Sequence, residues 1–94
     1  MSQEQKRARV TVSGTVQGVY FRASCRDEAR RVGATGWVRN LPSGVVEALF
    51  EGDVFAVAKM IAWMENGPSA ATVTHRKVEW EAPKGEFVGF NVTY

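Results

Sequence analysis

With 94 residues, 45% of them hydrophobic and 23% charged, the chain has the size and composition of one globular domain rather than of a disordered polypeptide. Its apolar runs are far shorter than the roughly 20 residues that cross a bilayer, so we expect no membrane partner. The formal net charge of +2 is too small to indicate nucleic acid binding by itself.

The polar N-terminal segment comes first. Residues 1–6 carry charges with no apolar stretch behind them, which predicts a disordered tail and no secretory signal. A strand follows over about residues 7–13, because Ala8, Val10 and Val12 alternate with polar neighbours. Residues 7–94 are therefore interpreted as a single domain.

A helix is predicted next, ending near residue 32. Phe21, Cys25, Ala29 and Val32 recur at helical spacing and should form its buried stripe, and Gly33 is suited to end it. Cys25 lies on this stripe, so we interpret it as a small core residue and not as a nucleophile. As the only cysteine it cannot form an internal disulfide, which fits a reducing, cytoplasmic location.

Two β-prone runs, residues 34–40 and 45–52, predict a hairpin, because the sequence between them is Leu-Pro-Ser-Gly. Leu49 lies on the polar face of the second run, which indicates that this face is partly covered. Asp53 is suited to cap a second helix, whose apolar side chains we expect at positions 54, 57, 61 and 64, with Met60 at the edge of that face. Trp63 fits either the margin of the core or the surface.

The last third of the chain predicts a strand over residues 72–81 and a short edge strand from Phe87 onward. Val73 is out of phase with Val78, so either a bulge intervenes or the strand begins later. His75, the only histidine, has no acidic or nucleophilic partner near it in sequence, which favours a surface position over a catalytic base. With one histidine and one cysteine we expect no metal and no other cofactor.

The predicted order of elements is βαββαβ. This order is typical of the ferredoxin-like sandwich, an α/β (α+β) fold in which two helices cover one face of an antiparallel sheet. In that arrangement the first strand is central and pairs with the third.

Residues 13–22, which we call the glycine loop, join the first strand to the first helix. Gly14 and Gly18 permit backbone angles that a Cβ disfavours, and such a junction directs several N–H groups and the positive end of a helix toward one point. Arg22 adds a planar set of donors suited to a phosphate or carboxylate. A plain turn beside a solvated arginine is the alternative, and the loop alone leaves both open.

Asn40 ends the first strand of the hairpin. Asparagine is uncommon inside strands and has both donors and an acceptor. It either initiates the turn that follows or belongs to a site, and its proximity to Arg22 depends on the fold.

Two segments resemble the signatures of the acylphosphatase family. The first is Val-Ser-Gly-Thr-Val-Gln-Gly-Val-Tyr-Phe-Arg at residues 12–22, and the second is Gly-Trp-Val-Arg-Asn at residues 36–40, followed by Gly44, Val46 and Gly52. Both match without a gap, and residues 7–94 have the family's length and element order. The resemblance implies a small hydrolase that converts an acyl phosphate into a carboxylate and inorganic phosphate.

The resemblance also implies a role for each matched residue. The phosphate is held by the backbone of Thr15, Val16, Gln17, Gly18, Val19, Tyr20 and Phe21. Arg22 binds the same phosphate and Asn40 holds the attacking water. Inorganic phosphate or sulfate should compete with the small-molecule substrate. Because an acyl phosphate is already activated, positioning and electrostatic stabilisation should suffice for its hydrolysis, and no metal is needed. The resemblance does not identify the group that accepts the proton of the water, and the substrate phosphate is one candidate.

Two rival functions use the same fold class. RNA-recognition modules stack bases on sheet aromatics, but Glu86 interrupts their motif before Phe87, so we expect no nucleic acid partner. A non-catalytic anion-binding domain would keep the glycine loop without turnover. We favour the hydrolase and expect a monomer.

Overall fold

The computed structural model describes residues 4–94, which form a five-stranded sheet and two helices. In chain order the elements are β1 (Gln5–Thr15), α1 (Phe21–Val32), β2 (Thr35–Asn40), β3 (Val46–Asp53), α2 (Val54–Trp63), β4 (Thr72–Glu81) and β5 (Phe90–Val92). The strand order is β4-β1-β3-β2-β5, so β1 is central and pairs with β3, as predicted. The ferredoxin-like α+β fold is confirmed. Within residues 4–94, neither helix is long and apolar enough to cross a membrane.

The sheet is mixed, whereas the sequence predicted an antiparallel one. β1 to β4 pair antiparallel, but β5 pairs parallel with β2. This follows from the path of residues 82–89, which leave β4 at one edge and cross to the β2 edge, so that β5 returns in the direction opposite to β4. The C-terminus thereby reaches the edge of the sheet that carries Asn40.

β1 begins at Gln5, two residues before the predicted start, because its first two residues pair with the end of β3. Part of the segment predicted as a tail is therefore strand. Residues 1–3 of the predicted tail lie outside the described residues.

A bulge lies where β1 enters the glycine loop. The register of β1 against β4 shifts between Ser13 and Gly14. Ser13 pairs with His75 and Gly14 pairs with Val73, so Thr74 between them has no partner in β1. This favours the bulge over a late strand start. Gly14 has a φ of 122°, and a Cβ there would lie 2.2 Å from the carbonyl oxygen of Thr72, so only glycine fits.

The core fills the space between the sheet and both helices. α1 buries Phe21, Cys25 and Ala29 as predicted, and it ends at Gly33, whose φ is 86°. Trp63 packs edge-on against Phe21 with ring centroids 5.3 Å apart, which places it at the core margin. The first residue of α1 is thus held firmly by its neighbours.

The buried stripe of α2 differs from the prediction. Asp53 caps the helix as expected, since its carboxylate accepts a hydrogen bond from the N–H of Phe55 at 3.0 Å. Val57 and Met64 are buried as predicted, but Ala56 and Met60 are buried with them. Val54 and Ile61 are only half-buried. The helix lies across both β1 and β3, which centres its buried side on Met60 and not on position 61.

The sheet face opposite the helices is covered, as Leu49 indicated: its side chain is buried among charged neighbours. Arg7 pairs there with Glu51 at 3.1 Å. Burial by itself would raise the pKa of the Glu51 carboxyl, but the N–H groups of Gly85 and Lys84 and the Arg7 guanidinium outweigh it and lower that pKa. This face is a satisfied ionic layer and takes no part in the cleft described next.

Candidate active site

A cleft with a volume of ≈ 420 Å³ opens where β1 passes into α1. The residues of the sequence prediction that line it are Val16, Gly18, Tyr20, Phe21, Arg22 and Asn40. The structure thus brings Arg22 and Asn40, which are 18 positions apart in the chain, to the same cleft.

The central part of the glycine loop, residues 17–20, leaves its N–H groups free of protein partners. Gly18 and Tyr20 have φ values of 74° and 62°, and the first backbone bond of α1 runs from the N–H of Ser24 to the carbonyl of Tyr20. Among residues 4–94, no backbone or side-chain acceptor receives a hydrogen bond from the N–H groups of residues 17–20. Left-handed loop residues beside a helix N-terminus form an anion-binding arrangement of this kind.

Tyr20 carries the one positive φ among the described non-glycine residues. The residue is 83% exposed and its side chain makes no capping hydrogen bond, so its own packing does not explain the strained backbone. Strain of this type persists where the surrounding structure fixes it, and it concentrates at functional sites. The buried side chain of the next residue, Phe21, supplies that fixation.

Gln17 fastens the loop to the β2–β3 turn. Its side-chain amide donates to the carbonyl of Leu41 at 2.9 Å and to that of Val45 at 3.1 Å. These carbonyls flank the turn that follows Asn40, so Gln17 couples the position of the loop to that of Asn40. Its side chain does not line the cleft.

The other two predicted loop residues also point elsewhere. Thr15 ends β1 and pairs with Thr72 of β4, and Val19 packs against the core. The role predicted for these two residues is phosphate binding by the backbone, so the placement of their side chains does not test it. Strand pairing at Thr15 and core packing at Val19 hold these two positions of the loop in place.

Arg22 is half-buried, and its guanidinium carbon lies 5.0 Å from the centroid of the Tyr94 ring. No carboxylate within residues 4–94 pairs with it. A guanidinium without a carboxylate partner, beside a row of free N–H groups, is available to a bound anion.

The Asn40 side chain is not committed to the turn. Its backbone pairs with Val46 in the hairpin, and the turn is closed by backbone bonds from Leu41 to Val45 and from Gly44 to Leu41. Asn40 Oδ1 is buried and has no hydrogen-bond partner within residues 4–94. Leaving such an acceptor unsatisfied costs about 1–3 kcal/mol, and the atom is available to a water or ligand in the cleft.

Sequence reasoning missed four residues of the cleft: Ala23, Arg26, Val92 and Tyr94. Arg26 follows Arg22 at a spacing of four, so the periodicity of α1 could have indicated it, whereas the adjacent Ala23 could not have been found in this way. Val92 and Tyr94 arrive through the parallel pairing of β5 with β2, which no local pattern in the sequence announces.

The two residues set aside as catalysts lie outside the cleft. Cys25 is fully buried, and burial raises the pKa of its thiol well above the usual range. His75 is exposed on β4. No group of three or more potential metal-binding side chains of the histidine, cysteine, aspartate or glutamate type is present in the part of the chain that the structure describes.

Comparisons with known proteins identify the family of the chain. The family model Acylphosphatase matches residues 8–92. An acylphosphatase of Roseiflexus sp. (strain RS-1) is 54% identical over 91 residues, which cover 97% of this chain and 98% of that relative. The structure of an acylphosphatase from Coxiella burnetii is 36% identical with a TM-score of 0.89, covering 95% of this chain and 93% of that one.

The crystal structure of the acylphosphatase from Bacillus subtilis is similarly close. It is 32% identical with a TM-score of 0.90, and the match covers 95% of this chain and 99% of that one. The family match and the relatives extend over nearly the whole sequence, including both signature segments. The chain therefore belongs to the acylphosphatase family.

Proposed function

We propose that this protein hydrolyses acyl phosphates to a carboxylate and inorganic phosphate, with Arg22 and the glycine-loop backbone binding the phosphoryl group and Asn40 orienting the attacking water. Membership of the acylphosphatase family supports the reaction. The observation that carries the residue roles is the unpartnered, buried Asn40 Oδ1 in the same cleft as the free guanidinium of Arg22.

Binding of the phosphoryl group comes first. The free N–H groups of residues 17–20 and the planar guanidinium of Arg22 donate to its non-bridging oxygens. Negative charge on these oxygens is redistributed as the transition state forms, and donors fixed beforehand stabilise it without reorganisation. Gln17 keeps these donors in a constant position relative to Asn40.

Chemistry then needs a positioned water. Asn40 Oδ1 accepts a hydrogen bond from the water, whose oxygen attacks phosphorus in line with the acyl oxygen. The new O–P bond forms as the bond between phosphorus and the acyl oxygen breaks, and that electron pair leaves with the carboxylate. The water proton passes to a phosphoryl oxygen. No aspartate, glutamate, histidine or cysteine side chain lines the cleft in residues 4–94.

The assignment of the water proton to a phosphoryl oxygen gives the first prediction. Cys25→Ala and His75→Ala should each keep kcat/KM for benzoyl phosphate within a few-fold of the parent, because neither side chain lines the cleft. Steady-state kinetics of both variants are the measurement. A loss of a hundredfold or more in a variant that remains folded by circular dichroism would assign the proton to that residue and refute the transfer to phosphate.

Turnover itself provides the second prediction. The protein should release inorganic phosphate from benzoyl phosphate in the presence of EDTA, and in ¹⁸O-labelled water the label should enter the phosphate. Inorganic phosphate and sulfate should inhibit competitively, and more weakly as salt is added, because the loop recognises the shared oxyanion. Amide chemical shifts in a phosphate titration should change in the glycine loop.

Three outcomes would contradict parts of this function. Phosphate binding without release of product would identify a non-catalytic anion-binding domain. Label in the carboxylate would move the attack from phosphorus to the acyl carbon. Shift changes confined to another surface would remove the glycine loop from the site.

We further propose that the protein acts as a cytoplasmic monomer. One chain supplies both Arg22 and Asn40, and the buried free thiol of Cys25 suits a reducing compartment. Sedimentation equilibrium at the assay concentration should give the mass of one chain, and a dimer mass would refute the monomer.

A further inference from the structure

The cleft continues along α1 to a second guanidinium, that of Arg26. Arg22 and Arg26 are four residues apart on the helix, a spacing that places Cβ atoms on one face about 6 Å from each other. Both side chains line the cleft, and Ala23 between them contributes only a methyl group. The cleft therefore holds a second guanidinium beside the one assigned to the phosphoryl group.

Arg26 is only lightly engaged by the protein. Its Nε donates to Asp27 Oδ1 at 3.0 Å, and this is the one hydrogen bond of its guanidinium within residues 4–94. The Asp27 side chain is 69% exposed, and exposed ion pairs of this kind contribute little. Asp27 is not a lining residue, so the terminal nitrogens of Arg26 remain available to an anion in the cleft.

The surroundings of Arg26 favour an acyl group. Val92 and Tyr94 provide apolar surface on the β5 side of the cleft. Arg22 stacks on the Tyr94 ring, so this ring adjoins the proposed phosphate site. An acyl group that extends away from the phosphorus therefore passes over this apolar surface, within reach of Arg26.

We propose that Arg26 determines substrate preference by binding a second anionic group, such as a carboxylate, on the acyl part of the acyl phosphate. This inference rests on the proposed function, because it takes the phosphoryl group to lie at the glycine loop and Arg22. The preferred substrates are then acyl phosphates with two anionic ends. Those with a neutral acyl group use only the first site.

Matched aromatic substrates test this preference. Benzoyl phosphate is compared with 3- and 4-carboxybenzoyl phosphate, whose rigid rings prevent the carboxylate from attacking its own acyl carbon. At low ionic strength, kcat/KM for the better carboxylated substrate should exceed that for benzoyl phosphate by about tenfold, mostly through KM. Added salt should reduce the ratio, because the second contact is electrostatic and partly exposed.

Variants test whether Arg26 is responsible for the ratio of kcat/KM between the carboxylated substrate and benzoyl phosphate. Arg26→Gln should bring it close to one, whereas Arg31→Gln should leave it unchanged. Arg31 lies on the same helix, is exposed and does not line the cleft, so its variant removes an equal charge elsewhere. Asp27→Ala should raise the ratio, because it removes the carboxylate that accepts a hydrogen bond from the Nε of Arg26.

A ratio near one in the parent would overturn the proposal, and so would an unchanged ratio in a folded Arg26→Gln protein. Loss of the ratio in Arg31→Gln would show that overall charge is responsible and not Arg26. Failure to hydrolyse even benzoyl phosphate is a different result, because it refutes the proposed function itself.

Discussion

Arg22→Lys should lose nearly as much activity as Arg22→Ala, although lysine keeps the positive charge. The guanidinium is a planar set of donors that can bind two phosphoryl oxygens at once, and it stacks on the Tyr94 ring at 5.0 Å. An ammonium group reproduces neither contact. Each lost charge-assisted bond is worth about 1.5–3 kcal/mol, so kcat/KM should fall roughly tenfold to hundredfold per bond.

Kinetics with benzoyl phosphate and the inhibition constant of inorganic phosphate are the measurements for both variants. The loss should appear in phosphate affinity as well as in turnover, because the same donors act before and during the reaction. Arg31→Lys, an exchange of the same kind on an exposed side chain of α1, is the control and should be silent. Near-normal activity of Arg22→Lys would show that charge alone matters at this position.

The parts of the fold that the sequence predicted correctly depend on neighbours in the chain. Phe21, Cys25 and Ala29 form the buried stripe of α1 because helical periodicity is local, and Gly33 ends the helix for the same reason. Asp53 caps α2 through an N–H two residues away. Such features need no knowledge of the tertiary structure.

The structure differs from the sequence predictions where segments that are distant in the chain meet. The parallel pairing of β5 is set by a crossing of the sheet between residues 82 and 89, and no pattern within that segment specifies it. The buried side of α2 is set by the two strands under it, so Met60 became central although the helix by itself gave several apolar faces.

The same distinction applies to the site. Arg22 and Asn40 were predicted because the glycine loop and the signature at residues 36–40 are contiguous motifs. The side-chain role of Gln17 was missed, because its acceptors are backbone carbonyls 24 and 28 positions away, and any residue type would supply them. The unsatisfied Oδ1 of Asn40 is a property of burial, which the sequence does not display.

Asn40→Ala should separate binding from chemistry. If the amide orients water and leaves the phosphate to other groups, the variant should bind inorganic phosphate about as well as the parent and yet lose kcat by about a hundredfold or more. Alanine can neither accept a hydrogen bond from the water nor donate one to it. The KM for benzoyl phosphate should change little, because an interaction made only in the transition state affects kcat.

Stability provides an independent check on this variant. Asn40 Oδ1 is buried without a partner within residues 4–94, so its removal abolishes an unsatisfied acceptor and no hydrogen bond of the turn. The free energy of unfolding should therefore stay within about 1 kcal/mol of the parent or rise, as expected when a residue serves activity at the expense of stability. Thermal unfolding beside an Asn91→Ala control, an exposed strand asparagine outside the cleft, measures it. Marked destabilisation would make Asn40 a structural turn residue, and a loss of phosphate affinity as large as that of Arg22→Ala would make it part of the phosphate site.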